Sequence, residues 1–566
     1  MRHTLICIAL LFTIVSSARA DSFDDLAHDF WNWRTVHQPN SVDDIQRLER
    51  PADWAPDWQP ATIHQQRQKL LEFERRWRQI HPSLWPVTRQ VDYRLIGSAI
   101  ARVRWELEIT RNWQRNPRFY LEQTLSALFE YLLQPPPFDA KRSRAIVRCL
   151  VSMPQTLAAA QKNLTAPTAP FAKLALDELS DIRTRLLTIS NELKPLLTPD
   201  SAAQLDAVTH KAIVAFEAYQ DWLRQRLPSM TSETAVGHAA YAWFLKHVAL
   251  MPFTPEQLLA MGRQEWERAV AFEAYEQNRN AGLPQLQLFP DQAAQIAGNE
   301  RDENAIRRFL AEKNILTVPT WMQHYRNLPL PTYLRMLPSS GEADDFTSPN
   351  RLQDDGIRYI VKPAPTLGYF ALSTARDPRP IIVHEGVPGH YLQLVLSYAH
   401  ENWLRRHYYD SGANEGIGFY AEEMLLQAGL FDDSPRTREI MYNFMRLRAL
   451  RVEVDVKLAT GQFTIAQGAE YLQKAVPMDA ATALDESAFF ASTPGQAITY
   501  QIGKLQIMRF LADARRLQGD KFNLRAFHDF VWKNGNVPIA LQRWEYLGLK
   551  DEIEWLRRSR QRQPIK

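Results

Sequence analysis

Two histidines and a glutamate define the chemistry open to this chain: His384-Glu385-Gly386-Val387-Pro388-Gly389-His390, then Asn414-Glu415-Gly416. Two imidazoles and a carboxylate make the ligand set of a catalytic zinc, which keeps its fourth position open for water. Glu385, beside the first histidine, is the natural base for that water. The common helical form of such a motif has its histidines at i and i+4, whereas these stand at i and i+6. On a regular helix i+6 lies roughly 120° away from i, so an unbroken helix cannot aim both rings at one ion. Pro388 and Gly389 fall inside the gap, and proline breaks the hydrogen-bond ladder while glycine accepts unusual backbone angles. The spacing predicts an interruption there that brings His390 round to face His384 and Glu415.

Other candidates follow in the chain. A helix opening at Asn414 carries Glu415 near its start and Glu422 seven residues on, almost on the same face. Glu415 is the expected third ligand and Glu422 the expected partner that orients a histidine, with Glu422 a rival ligand. Glu423 reads as a solvated charge. In Thr493-Pro494-Gly495-Gln496-Ala497-Ile498-Thr499-Tyr500, Pro494 reads as a first helical position. A Tyr500 hydroxyl could stabilise the oxyanion formed when water attacks a carbonyl, or the ring could simply face inward. Gln496 reads as a substrate-positioning or a helix-packing side chain.

The elements that must hold these groups are mostly helical. Residues 21 to about 250 form amphipathic segments broken by Gln134-Pro135-Pro136-Pro137 and Ala166-Pro167-Thr168-Ala169-Pro170. Leu179, Ile182, Leu186, Ile189 and Leu193 recur at helical steps and read as core. Residues 201–227 predict another long helix. Thr254, Pro255 and Gln257 predict a capping box and a helix running on past Trp266. The strand candidates are Ile357-Arg358-Tyr359-Ile360-Val361 and Gly368-Tyr369-Phe370-Ala371-Leu372-Ser373. A sheet edge beside the metal would let a peptide pair its backbone there; a structural hairpin is the plain alternative.

Composition narrows the class. A chain of 566 residues has room for several domains or one large bilobed one. With 45% hydrophobic and 23% charged residues it reads as an ordinary globular protein. A net charge of +3 offers nothing to capture nucleic acid. The basic run Arg557-Arg558-Ser559-Arg560-Gln561-Arg562 reads as a solvated helix end rather than a partner-binding tail. Residues 1–20, with Arg2, an apolar run from Leu5 to Val15 and Ala18-Arg19-Ala20, predict a cleaved secretory signal, and therefore an exported, bacterial periplasmic protein without stable membrane insertion. Cleavage removes Cys7 and leaves Cys149 alone, a buried structural thiol without a disulfide. No Gly-x-Ser-x-Gly elbow and no phosphate-binding glycine loop occurs.

The three blocks His384 to His390, Glu415 to Glu422 and Pro494 to Gly503 together resemble the bacterial DUF885 family of zinc-peptidase-like helical proteins. Tyr241-Ala242-Trp243-Phe244-Leu245 with Thr254 to Leu258, and Asn534-Gly535-Asn536-Val537-Pro538, look like its upstream and closing blocks, so the likeness spans about 235–545 well and the N-terminal part loosely. It implies a gluzincin-like hydrolase in which the widened histidine spacing is part of the pattern. The Pro494 block is similar to the tyrosine-bearing element of M32-type carboxypeptidases, and the Glu415 block to the third-ligand helix of angiotensin-converting-enzyme-like peptidases. Two positions depart from the pattern: Ile417 stands where tryptophan is usual and Phe489 where arginine is expected.

The combined expectation is a mainly α, large bilobed metallopeptidase-like fold with a small β-sheet next to the zinc site. Its parts are a signal at 1–20, a helical region at 21–235 and a catalytic region at 236–566. One zinc per chain is held by His384, His390 and Glu415. Glu385 and Tyr500 are catalytic, and Glu422 and Gln496 support them. The expected substrate is a peptide or small amide. An amidase or deacylase acting on a cell-wall or secondary-metabolite amide is the alternative within catalysis. A periplasmic helical binding protein with a vestigial metal site is the alternative outside it.

Overall fold

The structure is a computed structural model that describes residues 23–41, 48–337 and 349–558. The signal at 1–20 with Cys7, and Ser559 to Arg562 of the basic run, lie outside the described residues. As expected, the fold is mainly α, with one two-stranded sheet among the described residues.

The N-terminal helices share an apolar core with Tyr333, Leu334, Ile357 and Tyr359 from later in the chain. Ile182, Leu186, Ile189 and Leu193 are buried along the helix Ile182–Leu193. Leu179, expected on the same helix, is buried in the turn that follows the preceding helix Ala169–Glu178. The long helix Pro199–Arg226 packs Leu205, Ile213, Phe216 and Leu223 into this cluster. Cys149 sits there too, buried and unpaired with any other cysteine, and burial pushes its thiol far above the ordinary range. Another cluster joins the helix at 23–37 and the helix Val87–Arg104 to Leu404, Tyr408, Leu541 and Trp544.

Four long helices frame the part of the chain that carries the candidate residues, and one short one starts at His390. Helix α1 (Pro255–Arg279) opens with the expected capping box, Thr254 and Gln257 satisfying each other's backbone N–H groups. Helix α2 (His390–Tyr398) is buried along most of its length. Helix α3 (Ser411–Ala428) is capped by Asp410, which accepts from the Ala413 N–H at 2.8 Å. Helices α4 (Pro435–Ala459) and α5 (Thr499–Gln518) complete the frame. α3 and α5 cross so closely that a Cβ on Gly503 would lie 2.1 Å from the Gly412 oxygen and 2.7 Å from the Gly416 Cα. Beside this crossing a buried Lys504 ion-pairs with Glu423 at 2.7 Å and Glu265 at 3.1 Å. Glu423, expected to be solvated, is therefore a buried bolt between α3, α5 and α1, also held by Arg268. The α3 pattern hid this because its apolar residues leave no polar face on which to place the charge.

The sheet differs from the expected pair. Strand β1 (Tyr325–Pro329) runs parallel to β2 (Gly356–Ile360), with Tyr325 opposite Gly356 and Pro329 opposite Ile360. β2 matches the first strand candidate. The second forms a short helix, Tyr369–Thr374, whose first N–H is accepted by Asp479 at 3.2 Å. Its aromatic residues pack against Phe444 instead of a neighbouring strand, and a six-residue apolar run does not by itself separate helix from strand. Pro494 is likewise not a first helical residue. Residues 494–498 form a turn before α5, in which Gly495 takes φ 96° and donates its N–H to buried Asp455 at 2.9 Å.

Candidate metal centre

The interruption anticipated between the histidines is present. Ile382–Gly386 forms a π-helical turn, Val387 is extended at φ −121° and ψ 121°, and the Val387–Pro388 bond is cis. α2 then restarts at His390. Close approach explains the glycines here: a Cβ on Gly389 would lie 1.7 Å from the His384 oxygen, and one on Gly386 would lie 2.6 Å from the Tyr325 ring on β1. Trp532 donates its indole N–H to the Pro388 oxygen at 2.6 Å and pins the turn from outside. Across the gap, Gly418 of α3 leaves room for both imidazoles, since a Cβ there would stand 2.9 Å from His390 Cε1 and 3.0 Å from His384 Cε1.

This folding brings together the three expected ligands. Glu415 Oε2 lies 3.3 Å from His384 Nε2 and 3.2 Å from His390 Nε2, with the ring centroids 4.7 Å apart. His384 and Glu415 are buried, and His390 is partly so. Glu415 Oε2 is buried and makes no aligned hydrogen bond. Burial by itself would raise the Glu415 carboxyl, but His390 and then His384 hold it well below the usual carboxylate range. Burial likewise disfavours the His384 cation, and Glu415 and Glu422 overcome it and raise that imidazole above its ordinary value. Protons would compete with any cation held by these atoms, so the affinity of such a site would fall as pH falls.

Glu422 occupies the other side of His384. Its Oε1 is 2.7 Å from His384 Nδ1 and 2.8 Å from Arg448 Nη2, ion pairs at hydrogen-bond distance though off the ideal angle. It therefore stands behind a histidine, and Glu415 is the carboxylate among the Nε2 atoms. Glu385 is a quarter exposed, and its Oε1 lies 3.7 Å from Arg358 Nη1 of β2, which sets the small sheet beside the centre. Tyr500 stacks on His384 with centroids 5.9 Å apart and 9° between planes. The Arg451 guanidinium sits 4.7 Å from the Tyr500 ring and forms a two-pronged pair with Glu486 at 2.7 and 2.8 Å. Gln496 is buried among different neighbours. It lines a small cavity of about 50 Å³ with Ser98, Tyr408 and Thr499, and none of the three expected ligands borders that cavity.

Sequence reasoning missed Arg358, Arg448 and Arg451. The signal for the last two was present: on α4, Arg448, Arg451 and Asp455 follow at steps of three and four among Leu447, Leu450, Val452, Val454 and Val456, a charged stripe among buried apolar residues. Of the departures from the family pattern, Ile417 is fully buried in the apolar cluster under α3. Phe489 packs against Phe490, whose ring Arg451 approaches at 5.6 Å.

Fold and site thus describe a mainly α protein with a largely buried His₂Glu cluster, its histidines on either side of a break in one helix and its glutamate on α3. The chain belongs to DUF885, described as bacterial protein of unknown function, which it matches over residues 46–544. Its fold is similar to that of a candidate lipoprotein of unknown function from Shewanella oneidensis, at 16% identity and TM-score 0.68, covering 93% of this chain and 98% of that one. It is similar also to that of a candidate lipoprotein from Colwellia psychrerythraea, at 17% identity and TM-score 0.70, covering 95% and 100%. No curated protein sequence matches the chain. Among the described residues no helix is long and apolar enough to cross a membrane.

Proposed function

We propose that this protein is a zinc-dependent hydrolase of peptide or peptide-like amide bonds, exported to the bacterial periplasm. The observation that carries the reading is the convergence of His384 Nε2, His390 Nε2 and Glu415 Oε2. In a tetrahedral site with bonds of about 2.0–2.2 Å, ligand atoms stand about 3.3–3.6 Å apart. The two nitrogen-to-oxygen separations here, 3.3 and 3.2 Å, fit that edge length. A buried carboxylate oxygen with no aligned donor adds to the fit, as does Gly418, whose lack of a side chain lets both rings pack against α3. His384, His390 and Glu415 would hold the ion, and Glu422 would fix the His384 ring from behind. Zinc there would polarise the scissile carbonyl and acidify a water toward neutrality.

The chain's own groups do the rest. Glu385, next to His384 and open to solvent on one side, takes a proton from the attacking water and returns it to the leaving amine. Arg358 stands near enough to orient that carboxylate. The Tyr500 hydroxyl donates a hydrogen bond to the oxyanion as the carbonyl carbon becomes tetrahedral. Its ring is held between His384 and Arg451. The reading is tested by zinc content and turnover together. Purified protein should carry about one zinc per chain, and stripping it should abolish amide hydrolysis until zinc is restored.

A further inference from the structure

Arg448 is the charged group next to the centre that the proposed reaction does not use. It is 5% exposed, sits on α4, and reaches Glu422 Oε1 with Nη2 at 2.8 Å. Its Nε and Nη1 are buried with no hydrogen-bond partner among the described residues. Buried donors left unsatisfied cost free energy, so the guanidinium is not placed to maximise hydrogen bonds. Three rings enclose it instead, Phe419 at 5.2 Å, Phe444 at 5.3 Å and Tyr500 at 5.7 Å, an arrangement that favours a cation. What remains is its charge and its single contact with Glu422, which is fully buried and meets His384 Nδ1 through the same oxygen.

We infer that Arg448 is a positioning residue for the metal centre, holding the Glu422 carboxylate so that one oxygen accepts the His384 Nδ1 proton and the ring presents Nε2 to the cation. The inference rests on the zinc reading above. A buried carboxylate needs an opposite charge, and Arg448 supplies it at the same oxygen that meets His384 Nδ1. Without it, Glu422 loses both its counter-charge and the contact that stops the carboxylate from rotating off His384. A metal-bound imidazole is oriented by the acceptor behind its other nitrogen, so the defect reaches the centre through two contacts. The conservative change to lysine keeps the charge but replaces a rigid, pre-organised planar group by a flexible ammonium, and it should rescue only part of the function.

The test compares wild type with Arg448→Gln, Arg448→Lys, Glu422→Gln and the Arg448→Gln/Glu422→Gln double variant. Zinc affinity is read by competition with a chromophoric chelator. The His384 tautomer is read by nitrogen NMR of zinc-free, histidine-labelled protein at alkaline pH. Arg448→Gln should weaken zinc binding by about 10- to 100-fold and move His384 from a single tautomer, with the proton on Nδ1, to a mixture. Arg448→Lys should lie between. The double variant should be no weaker than the worse single one, because both act through one chain of contacts. If Arg448→Gln does not fold, Glu422→Gln and Arg448→Lys carry the comparison. Wild-type affinity and an unchanged tautomer in Arg448→Gln or Glu422→Gln would overturn this role while leaving the zinc reading intact. Losses that multiply in the double variant would overturn it too. A wild-type protein that binds no zinc would overturn both.

Discussion

In the proposed hydrolysis Glu385 would take and return a proton within one turnover, which requires a carboxylate beside the reacting carbonyl that is not itself spent as a ligand. It is the one acid of the motif that stays outside the Nε2–Oε2 cluster, a quarter exposed while Glu415 is buried. Glu385→Gln should leave zinc content unchanged and lower turnover by about 10²- to 10⁴-fold. Parallel metal analysis and initial rates check this, and an active variant would remove Glu385 from its role. Tyr500→Phe keeps the ring stacked on His384 and removes only the hydroxyl. It should lower kcat by about 10²-fold or more with little change in zinc content. At this scale much was legible in the sequence. Residue type and neighbourhood in the chain singled out the His384, Glu385, His390 and Glu415 constellation. Arg358 was not legible because an arginine is ordinarily a surface residue, whereas Arg448 and Arg451 were marked by the apolar residues around them on α4, although only the fold shows the carboxylates they meet.

The elements matter through where they break and where they touch. The break in the motif helix could be read from Pro388-Gly389, because no other local device turns His390 toward His384. The turn at 494–498 could not, because its cause is Asp455, forty residues earlier on α4, which accepts the Gly495 N–H. Complete burial raises the Asp455 carboxyl to about 7, against the lowering effect of the Gly495 N–H. A carboxyl raised in the folded state binds its proton more tightly there than in the unfolded chain. Its contribution is full below about pH 4 and lost as pH rises to about 7. Asp455→Asn keeps an acceptor and removes the titration. Its stability relative to wild type should therefore rise by roughly 2–4 kcal/mol across that window, measured by denaturant unfolding at several pH values. A difference that stays flat from pH 4 to 7 would contradict the burial argument. At the α3–α5 crossing, Gly503→Ala should cost about 1–3 kcal/mol, because its Cβ meets the backbone oxygen of Gly412 and no side chain can move aside. The strand β1 and its parallel pairing with β2 were not legible. Tyr325–Pro329 is a short segment whose partner, Gly356–Ile360, lies beyond the intervening helix Thr332–Arg335.

For the molecule as a whole, helical class was legible from periodicity, and the buried clusters explain why the finer organisation was not. Leu404, Tyr408, Leu541 and Trp544 share a core with the helices at 23–37 and Val87–Arg104, a contact no local pattern announces. Lys504 draws α1, α3 and α5 together through Glu265 and Glu423 for the same reason. A centre assembled from α2, α3 and the π-helical turn before them should couple metal to global stability. A ligand that binds only the folded chain stabilises it by about 2.7 kcal/mol at a hundredfold excess over its dissociation constant. Chelator should therefore lower the melting temperature, and added zinc should restore it. The most direct measurement is digestion of a peptide library read by mass spectrometry, with zinc-loaded, chelator-treated and Glu385→Gln protein side by side. Zinc-dependent hydrolysis of amide bonds requires cleavage products in the first sample and their loss in the other two. Products that persist undiminished without zinc, or no cleavage by fully zinc-loaded protein, would contradict it.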